Sequence, residues 1–182
     1  PFRKTMKRDD RFLVPFSGWK NGEHELSFEM DQAFFESFPS SEIGPSQFTV
    51  TGKLQKSETM LILDISLAGE ANFACDRCGD DCTVHMESVD HWVVKFGQET
   101  NFDNEDIWEL GPAEYRLDLR ERLFELAHLA LPARRVHARE SDCSKEVISA
   151  LDKYSVEENS DSRWIDLKNL QLDEYDPSDE EE

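Results

Sequence analysis

The residues with the clearest chemical potential are four cysteines, two of which stand close together in the middle of the 182-residue chain. Cys75 and Cys78 are separated by two residues, Cys82 follows shortly, and Cys143 lies far downstream. Two thiols that are separated by two residues can both reach one atom, because the turn between them folds back on itself. The pair is therefore compatible with half of a metal site, with a redox-active dithiol, or with two unrelated thiols on a hairpin.

A structural zinc site is the first interpretation. His137 and Cys143 offer a second chelating pair, which with Cys75 and Cys78 would complete a Cys₃His set. A compact alternative has the spacing C-x₂-C-x₃-C-x₂-H and consists of Cys75, Cys78, Cys82 and His85. Either set would leave no open coordination position, so the zinc ion would have a structural and not a catalytic role. A structural knuckle without metal stays open as a third possibility.

A thiol oxidoreductase is an alternative for the same pair. Such a pair usually stands at the N-terminus of a helix, where the helix dipole lowers the pKa of the first thiol. Here the sequence predicts strands on both sides of the pair, and Asp76 between the thiols is expected to raise that pKa. The sequence therefore favours the metal site over redox chemistry.

No motif of a hydrolytic or nucleotide-using enzyme is present. The chain lacks G-x-S-x-G, a glycine-rich phosphate loop and H-E-x-x-H, and its carboxylates are spread along the sequence. We therefore expect no enzymatic activity, no catalytic residues and no small-molecule substrate, and zinc is the one cofactor that we expect.

The charge distribution limits the partners that the chain can bind. A formal net charge of −20 repels phosphate at long range, so a broad coating of nucleic acid is excluded. A local basic island consists of Arg134, Arg135, His137 and Arg139, with no acid among them. It either offsets the acidic surface or contacts RNA phosphates, which the planar guanidinium group suits. The acidic surface would suit a basic protein.

Neither a membrane span nor a secretory leader is predicted, because no apolar run approaches eighteen residues. Four cysteines do not form a disulfide framework, which favours a reducing compartment. We therefore expect a cytoplasmic location.

Alternating apolar residues predict strands that together form a meandering antiparallel sheet. Phe12 to Phe16 and Leu26 to Met30 are expected to form a hairpin around Asn21-Gly22. Further strands are predicted around residues 48–54, 61–67 and 84–96. The fold class is therefore α+β, with an antiparallel sheet, a few helices, a Cys-x-x-Cys knuckle and a disordered acidic C-terminal tail.

Three helices complete the prediction. Asp31 is expected to cap a short helix with Phe34 and Phe35, and Asp118 is expected to cap a helix over 118–131. His128 is predicted to be solvated on the second helix, and a third helix is predicted over 144–154.

One domain is predicted, with an arm before it and a tail after it. The arm covers 1–10 and is basic, the α+β domain covers 11–156, and the tail covers 157–182. The acidic tail contains a short amphipathic segment at 162–171, which would dock on its own domain or on a basic partner.

Several of these motifs, in their order and spacing, resemble the YceD-like family of large ribosomal RNA subunit accumulation proteins. They are Phe73-Ala74-Cys75-Asp76-Arg77-Cys78-Gly79, Leu129-Ala130-Leu131-Pro132-Ala133-Arg134-Arg135-Val136-His137, Cys143, Asp161-Ser162-Arg163-Trp164 and Leu167-Lys168-Asn169-Leu170. The chain is most similar to the branch found in Bacteroidetes-type bacteria, over about residues 11–171.

This resemblance implies a cytoplasmic, non-enzymatic ribosome-biogenesis factor that supports accumulation of the 23S ribosomal RNA precursor. The family's genes commonly neighbour that of ribosomal protein L32, which implies a tie to large-subunit assembly. Cys75 and Cys78 match the family's first cysteine pair, whereas His137 and Cys143 stand where many relatives carry further cysteines. Cys82 has no counterpart in the family pattern.

We therefore expect a factor that acts by binding large-subunit ribosomal RNA, a ribosomal protein such as L32, or both. Arg134, Arg135 and Arg139 are the expected RNA-binding residues. Two alternatives stay open, a Cys-x-x-Cys thiol oxidoreductase and a zinc-stabilised interaction module unrelated to ribosomes.

Overall fold

The computed structural model describes residues 10–102 and 107–155. The chain divides into two compact units, Pro1–Ser144 and Lys145–Glu182. The strands are β1 (Leu13–Val14), β2 (Gly22–Asp31), β3 (Ser46–Lys56), β4 (Met60–Ala74), β5 (Asp81–Phe96), β6 (Ile107–Leu110) and β7 (Leu117–Asp118). The helices are α1 (Gln32–Glu36), α2 (Arg120–Leu129) and α3 (Lys145–Tyr154), with single 3₁₀ turns at Asp10–Phe12, Phe16–Gly18 and Glu140–Asp142.

The main sheet of the first unit has the strand order β2-β3-β4-β5-β6. Its first four strands form an antiparallel meander, and β6 pairs with β5 in parallel. A parallel neighbour requires a connection that carries the chain back before the next strand, which here begins at Ile107. The predicted α+β class is confirmed, and the sheet is mixed because of this last strand.

One face of the sheet forms the hydrophobic core, as the alternating pattern predicted. The inward side chains of β3 and β4 are fully or almost fully buried, and they are Phe48, Val50, Leu54, Leu61, Leu63, Ile65 and Leu67. Helix α2 contributes Leu123, Leu126 and Ala127 to the same core. Burial of these apolar side chains supplies the main driving force of the fold.

The predicted cap of α1 is confirmed, whereas the predicted start of α2 is wrong. The Asp31 carboxylate accepts a hydrogen bond from the backbone N–H of Phe34 at 3.0 Å. Asp118 instead ends β7, where it pairs with Leu13, and its carboxylate binds the backbone and the guanidinium group of Arg120. Helix α2 therefore begins at Arg120 and ends at Leu129, inside the predicted 118–131.

The predicted hairpin between the first two strands is also wrong. β1 pairs with the distant β7 and not with β2. Lys56 explains part of this arrangement, because its ammonium group donates to the carbonyl oxygens of Phe16 and Trp19, each at 2.8 Å. These bonds hold the segment between β1 and β2 at the end of β3.

The second unit contains α3 among its described residues, at Lys145–Tyr154, close to the predicted helix 144–154. The domain boundaries at residues 11 and 156 stay predictions. Residues 1–9 of the predicted arm, and the predicted tail with its segment 162–171, lie outside the described residues.

The close approach of β3 to Gly69 in β4 predicts that Gly69→Ala destabilises the fold. A Cβ atom at Gly69 would overlap the carbonyl oxygen of Gln47 and would lie 2.7 Å from the Cα of Phe48. We expect the free energy of unfolding, measured with urea, to fall by about 1–3 kcal/mol. Gly44→Ala is the control, because nothing lies within 4 Å of a Cβ built there. An equal effect of both substitutions would contradict this explanation.

Candidate metal centre

The turn that joins β4 and β5 brings the first two cysteines together. The N–H of Cys75 donates to the carbonyl oxygen of Asp80, and the N–H of Gly79 donates to that of Cys75, each at 2.8 Å. Gly79 has a φ of 82°, a conformation that side-chain-bearing residues rarely adopt. This tight turn places Cys75 and Cys78 at the end of the longest hairpin of the sheet.

The loop after α2 supplies the second half of the site. It is held by two hydrogen bonds between Asp76 and Arg135. The backbone N–H of Asp76 donates to the Arg135 carbonyl oxygen at 2.7 Å, and the Arg135 N–H donates to the Asp76 carboxylate at 2.6 Å. Two residues further, His137 lies against the turn.

The hydrogen bonds of His137 leave one ring nitrogen free to bind a metal ion. Its Nε2 lies 3.2 Å from the carbonyl oxygen of Asp81, which can only accept a hydrogen bond. Nε2 therefore carries the proton, and the lone pair of Nδ1 points at the cysteines. Nδ1 lies 3.6 Å from the Cys78 sulfur and 3.5 Å from the Cys143 sulfur.

Cys75, Cys78, His137 and Cys143 lie close enough to hold one metal ion. Their ligand atoms are all within 4.8 Å of one another. Zn–S and Zn–N bonds of about 2.3 and 2.0 Å at tetrahedral angles would separate S and N by about 3.6 Å. The two sulfur–nitrogen distances already match this value, and Cys75 and Cys143 are only 3% and 4% exposed. The four atoms form a closed, sheltered donor set.

The pKa of Cys75 is lowered to about 5. Burial raises the pKa of this thiol, but hydrogen bonds from the backbone N–H groups of Arg77, Cys78 and His137 outweigh burial. Such bonds stabilise a thiolate, which is the form that binds metals. Asp76 was expected to raise this pKa; its carboxylate accepts a hydrogen bond from the Arg135 N–H, and the net shift of the Cys75 pKa is downward.

Arg77 is a component of the site that sequence reasoning missed. Its guanidinium group donates to the Cys143 sulfur at 3.5 Å, and this contact raises the pKa of Arg77. Burial raises the pKa of the Cys143 thiol, and Arg77 acts in the opposite direction. A cation inside the knuckle was visible in the sequence, but its distant partner was not.

The compact ligand set is not brought together. His85 points away from the core, is 86% exposed and pairs with Glu70 at 3.6 Å. Cys82 is buried on the core side of β5, where burial and the negative charge of Cys75 raise its pKa. Residues three positions apart on a strand face opposite sides, so the two cannot share one ion.

Redox chemistry has a weaker geometric basis than metal binding. The pair lies between β4 and β5, and no helix within the described ranges starts at it. The thiolate of Cys75 is buried, whereas a reactive dithiol must be open to its partner.

The three predicted RNA-binding arginines differ in their surroundings. Arg134 is exposed, and Arg139 is 83% exposed with Asp142 at 3.9 Å. Arg135 lies over the ring of Phe73, 5.2 Å from its centroid, and pairs with Glu42 at 3.8 Å. Arg134 and Arg139 therefore present their charges outward, while Arg135 packs the loop onto the sheet.

His128 differs from its prediction as well. It is half-buried, its ring lies 4.1 Å from that of Phe124, and its Nδ1 lies 2.9 Å from the Phe124 carbonyl oxygen. Its other ring nitrogen is buried without a partner within the described part of the chain.

The lowered pKa of Cys75 predicts a pH-dependent stability of the metal-free protein. A thiol with a lower pKa in the folded state stabilises the fold above its unfolded pKa of 9.0, and this contribution disappears as the pH falls through about 5. We expect urea unfolding at pH 9, 7 and 5 to show a larger loss in wild type than in Cys75→Ser. Parallel losses in the two proteins would show that Cys75 is not responsible.

Within residues 10–102 and 107–155, the structure contains no helix with the length and apolar character that a membrane span requires.

Comparison with known proteins identifies the family. Neither the curated proteins nor the solved structures include a significant match. A family model described as "Large ribosomal RNA subunit accumulation protein YceD" matches residues 63–171, a range that contains all four candidate ligands. The Bacteroidetes-type branch stays a prediction. The chain belongs to the YceD family of large ribosomal RNA subunit accumulation proteins.

Proposed function

We propose that this protein supports the accumulation of large-subunit ribosomal RNA by binding and not by catalysis, and that a structural zinc ion holds its binding loop. The observation that carries the proposal is the convergence of four ligand atoms within 4.8 Å from two distant segments of the chain. Family membership supplies the biological process.

Zinc is the metal that suits these donors. Three thiolates and one imidazole form a common tetrahedral zinc set, and all four positions are then filled. The Arg77 guanidinium group offsets part of the negative charge that three thiolates bring to one ion. Such a closed site fixes structure and offers no position for a substrate.

The zinc ion would fix the loop that carries the arginines. Between α2 and α3 the only regular element is the single turn Glu140–Asp142, so few backbone hydrogen bonds define the loop. Ligands at His137 and Cys143 would hold it at both sides of Arg139. Arg134 and Arg139 would then contact RNA phosphates, with Arg135 as their support on Phe73.

The strong negative charge of the chain restricts the part of its surface that RNA can contact. Most of the surface repels RNA, and within the described part of the chain the arginine loop is the basic cluster that we propose approaches the phosphates. The acidic remainder suits a basic ribosomal protein, and L32 is the partner that we would test first. The RNA in this proposal is the precursor of the large-subunit RNA. The location in this proposal is the cytoplasm, because ribosome assembly takes place there.

The zinc site predicts about one zinc ion per chain in the purified protein. We expect Cys75→Ser and Cys143→Ser to lose most of the metal, as measured by plasma mass spectrometry after desalting. Cys82→Ala is the matched control, because Cys82 is also buried but does not belong to the ligand set. Metal-free wild type, or equal loss of zinc from Cys82→Ala, would rule the site out.

The arginine loop predicts direct contact with large-subunit RNA in cells. Ultraviolet crosslinking should enrich this RNA with wild type, and Arg134→Gln combined with Arg139→Gln should lower its recovery about ten-fold or more, since a hydrogen bond to a charged group contributes about 1.5–3 kcal/mol. Arg116→Gln, which removes an exposed arginine outside the loop, should have no such effect. Recovery of large-subunit RNA at background level with wild type would refute the RNA contact.

A further inference from the structure

The strand β2 forms one edge of the main sheet. We propose that this edge binds an extended Lys/Arg-rich segment of a partner protein as an added strand. The proposal rests on the proposed function in one respect, that a basic protein of the large subunit is the partner. The edge is separate from the metal centre and from the arginine loop.

β2 is a long strand with backbone groups available on one side. All ten of its residues, Gly22–Asp31, pair with β3, and β2 is the last strand of the sheet on that side. Apart from the pairing with β3 and the start of α1, no backbone hydrogen bond from another described segment reaches residues 23–31. A row of unpaired N–H and C=O groups is a template for one more strand.

The opposite edge of the sheet is different. β6 has only four residues, and the N–H and carbonyl groups of its Glu109 exchange two hydrogen bonds with Asn101 at 2.8 and 2.9 Å. That edge is short and partly covered, so β2 is the edge that can accept a long segment.

The side chains of β2 define the chemistry of the added strand. Glu23, Glu25 and Glu29 share the solvent face, and β2 contains no lysine or arginine. Side chains directly beside them on an added strand must therefore be basic or neutral. On the core face the half-buried Phe28 packs against Phe12, with ring centroids 5.8 Å apart, and would favour an apolar neighbour. The matching segment alternates basic with small apolar residues.

A second copy of this chain is a poor occupant of the same edge. An antiparallel pairing of two β2 strands centred on Ser27 would place Glu25 of each copy beside Glu29 of the other. Like charges opposite each other destabilise a strand pair, so the edge resists self-association. RNA is disfavoured for the same reason, and a basic peptide is favoured.

The test uses the full-length protein and a fluorescent ten-residue peptide that alternates lysine with valine and threonine. We expect saturable binding, together with slower amide hydrogen exchange in residues 22–31. A peptide of equal charge, methylated on alternate backbone nitrogens, should bind at least ten-fold more weakly because it cannot complete the ladder. Equal binding of the two peptides, or unchanged exchange in β2, would overturn the proposal.

Charge variants locate the site. Glu25→Gln should weaken the peptide about three-fold, as expected for one cross-strand charge pair. Glu87→Gln is the matched control, since Glu87 is exposed on the same face of the sheet but lies three strands away, about 14 Å at the usual strand spacing. An equal effect of both variants would show that only the overall charge matters and would overturn the proposal.

Two further measurements separate this edge from the proposed function. Cys75→Ser should bind the peptide as wild type does, so a failed metal site would leave this result intact. A ten-nucleotide single-stranded RNA should leave exchange in residues 22–31 unchanged. Slower exchange in β2 in the presence of the RNA would show that RNA, and not a basic peptide, occupies this edge, and would overturn the proposal.

Discussion

The pairing of β4 with β5 is the constraint on which the rest of the structure depends. All fifteen residues of β4 are in register with β5, from Met60 opposite Lys95 to Ala74 opposite Asp81. Because successive side chains of a strand face opposite sides, this register determines which of them lie in the core and which in solvent. It also determines where the turn begins, and so where Cys75 and Cys78 stand. A slip of one residue would bury the charged face and move the knuckle out of reach of the loop after α2.

The candidate site depends on two parts of the chain that are distant in sequence, and different interactions position each of them. The hairpin end is fixed by the strand register. The loop is fixed by the packing of α2 against the sheet, by the two hydrogen bonds between Asp76 and Arg135, and by the stacking of Arg135 on Phe73. The charged side chain of Arg77 lies at the candidate site itself, where it contacts the Cys143 sulfur. The outward charges of Arg134 and Arg139 are then available to a partner.

Local patterns in the sequence predicted much of the fold, whereas strand pairing between distant parts of the chain could not be predicted. The alternation of apolar residues predicted the strands of the main sheet, and the position of Asp31 predicted the N-terminal cap of α1. Both signals act within a few residues. The pairing of β1 with β7 left no local signal, so Asp118 was taken for a helix cap. Donor chemistry predicted the candidate set of Cys75, Cys78, His137 and Cys143, whose ligand atoms lie within 4.8 Å of one another, and strand alternation alone could have excluded Cys82 with His85. The partner of Arg77 required the folded structure.

The two hydrogen bonds between Asp76 and Arg135 also bear on the order of events during maturation. They join the hairpin to the loop through the chain's own hydrogen bonds, next to the four donor atoms of the candidate site. In zinc-finger peptides the metal must organise an unfolded chain, and binding and folding are then one process. In the zinc site proposed above, the chain would instead complete its fold first and acquire the ion afterwards. Loading and loss of the ion would then be events on a finished protein, which the supply of metal in the cell would govern without refolding.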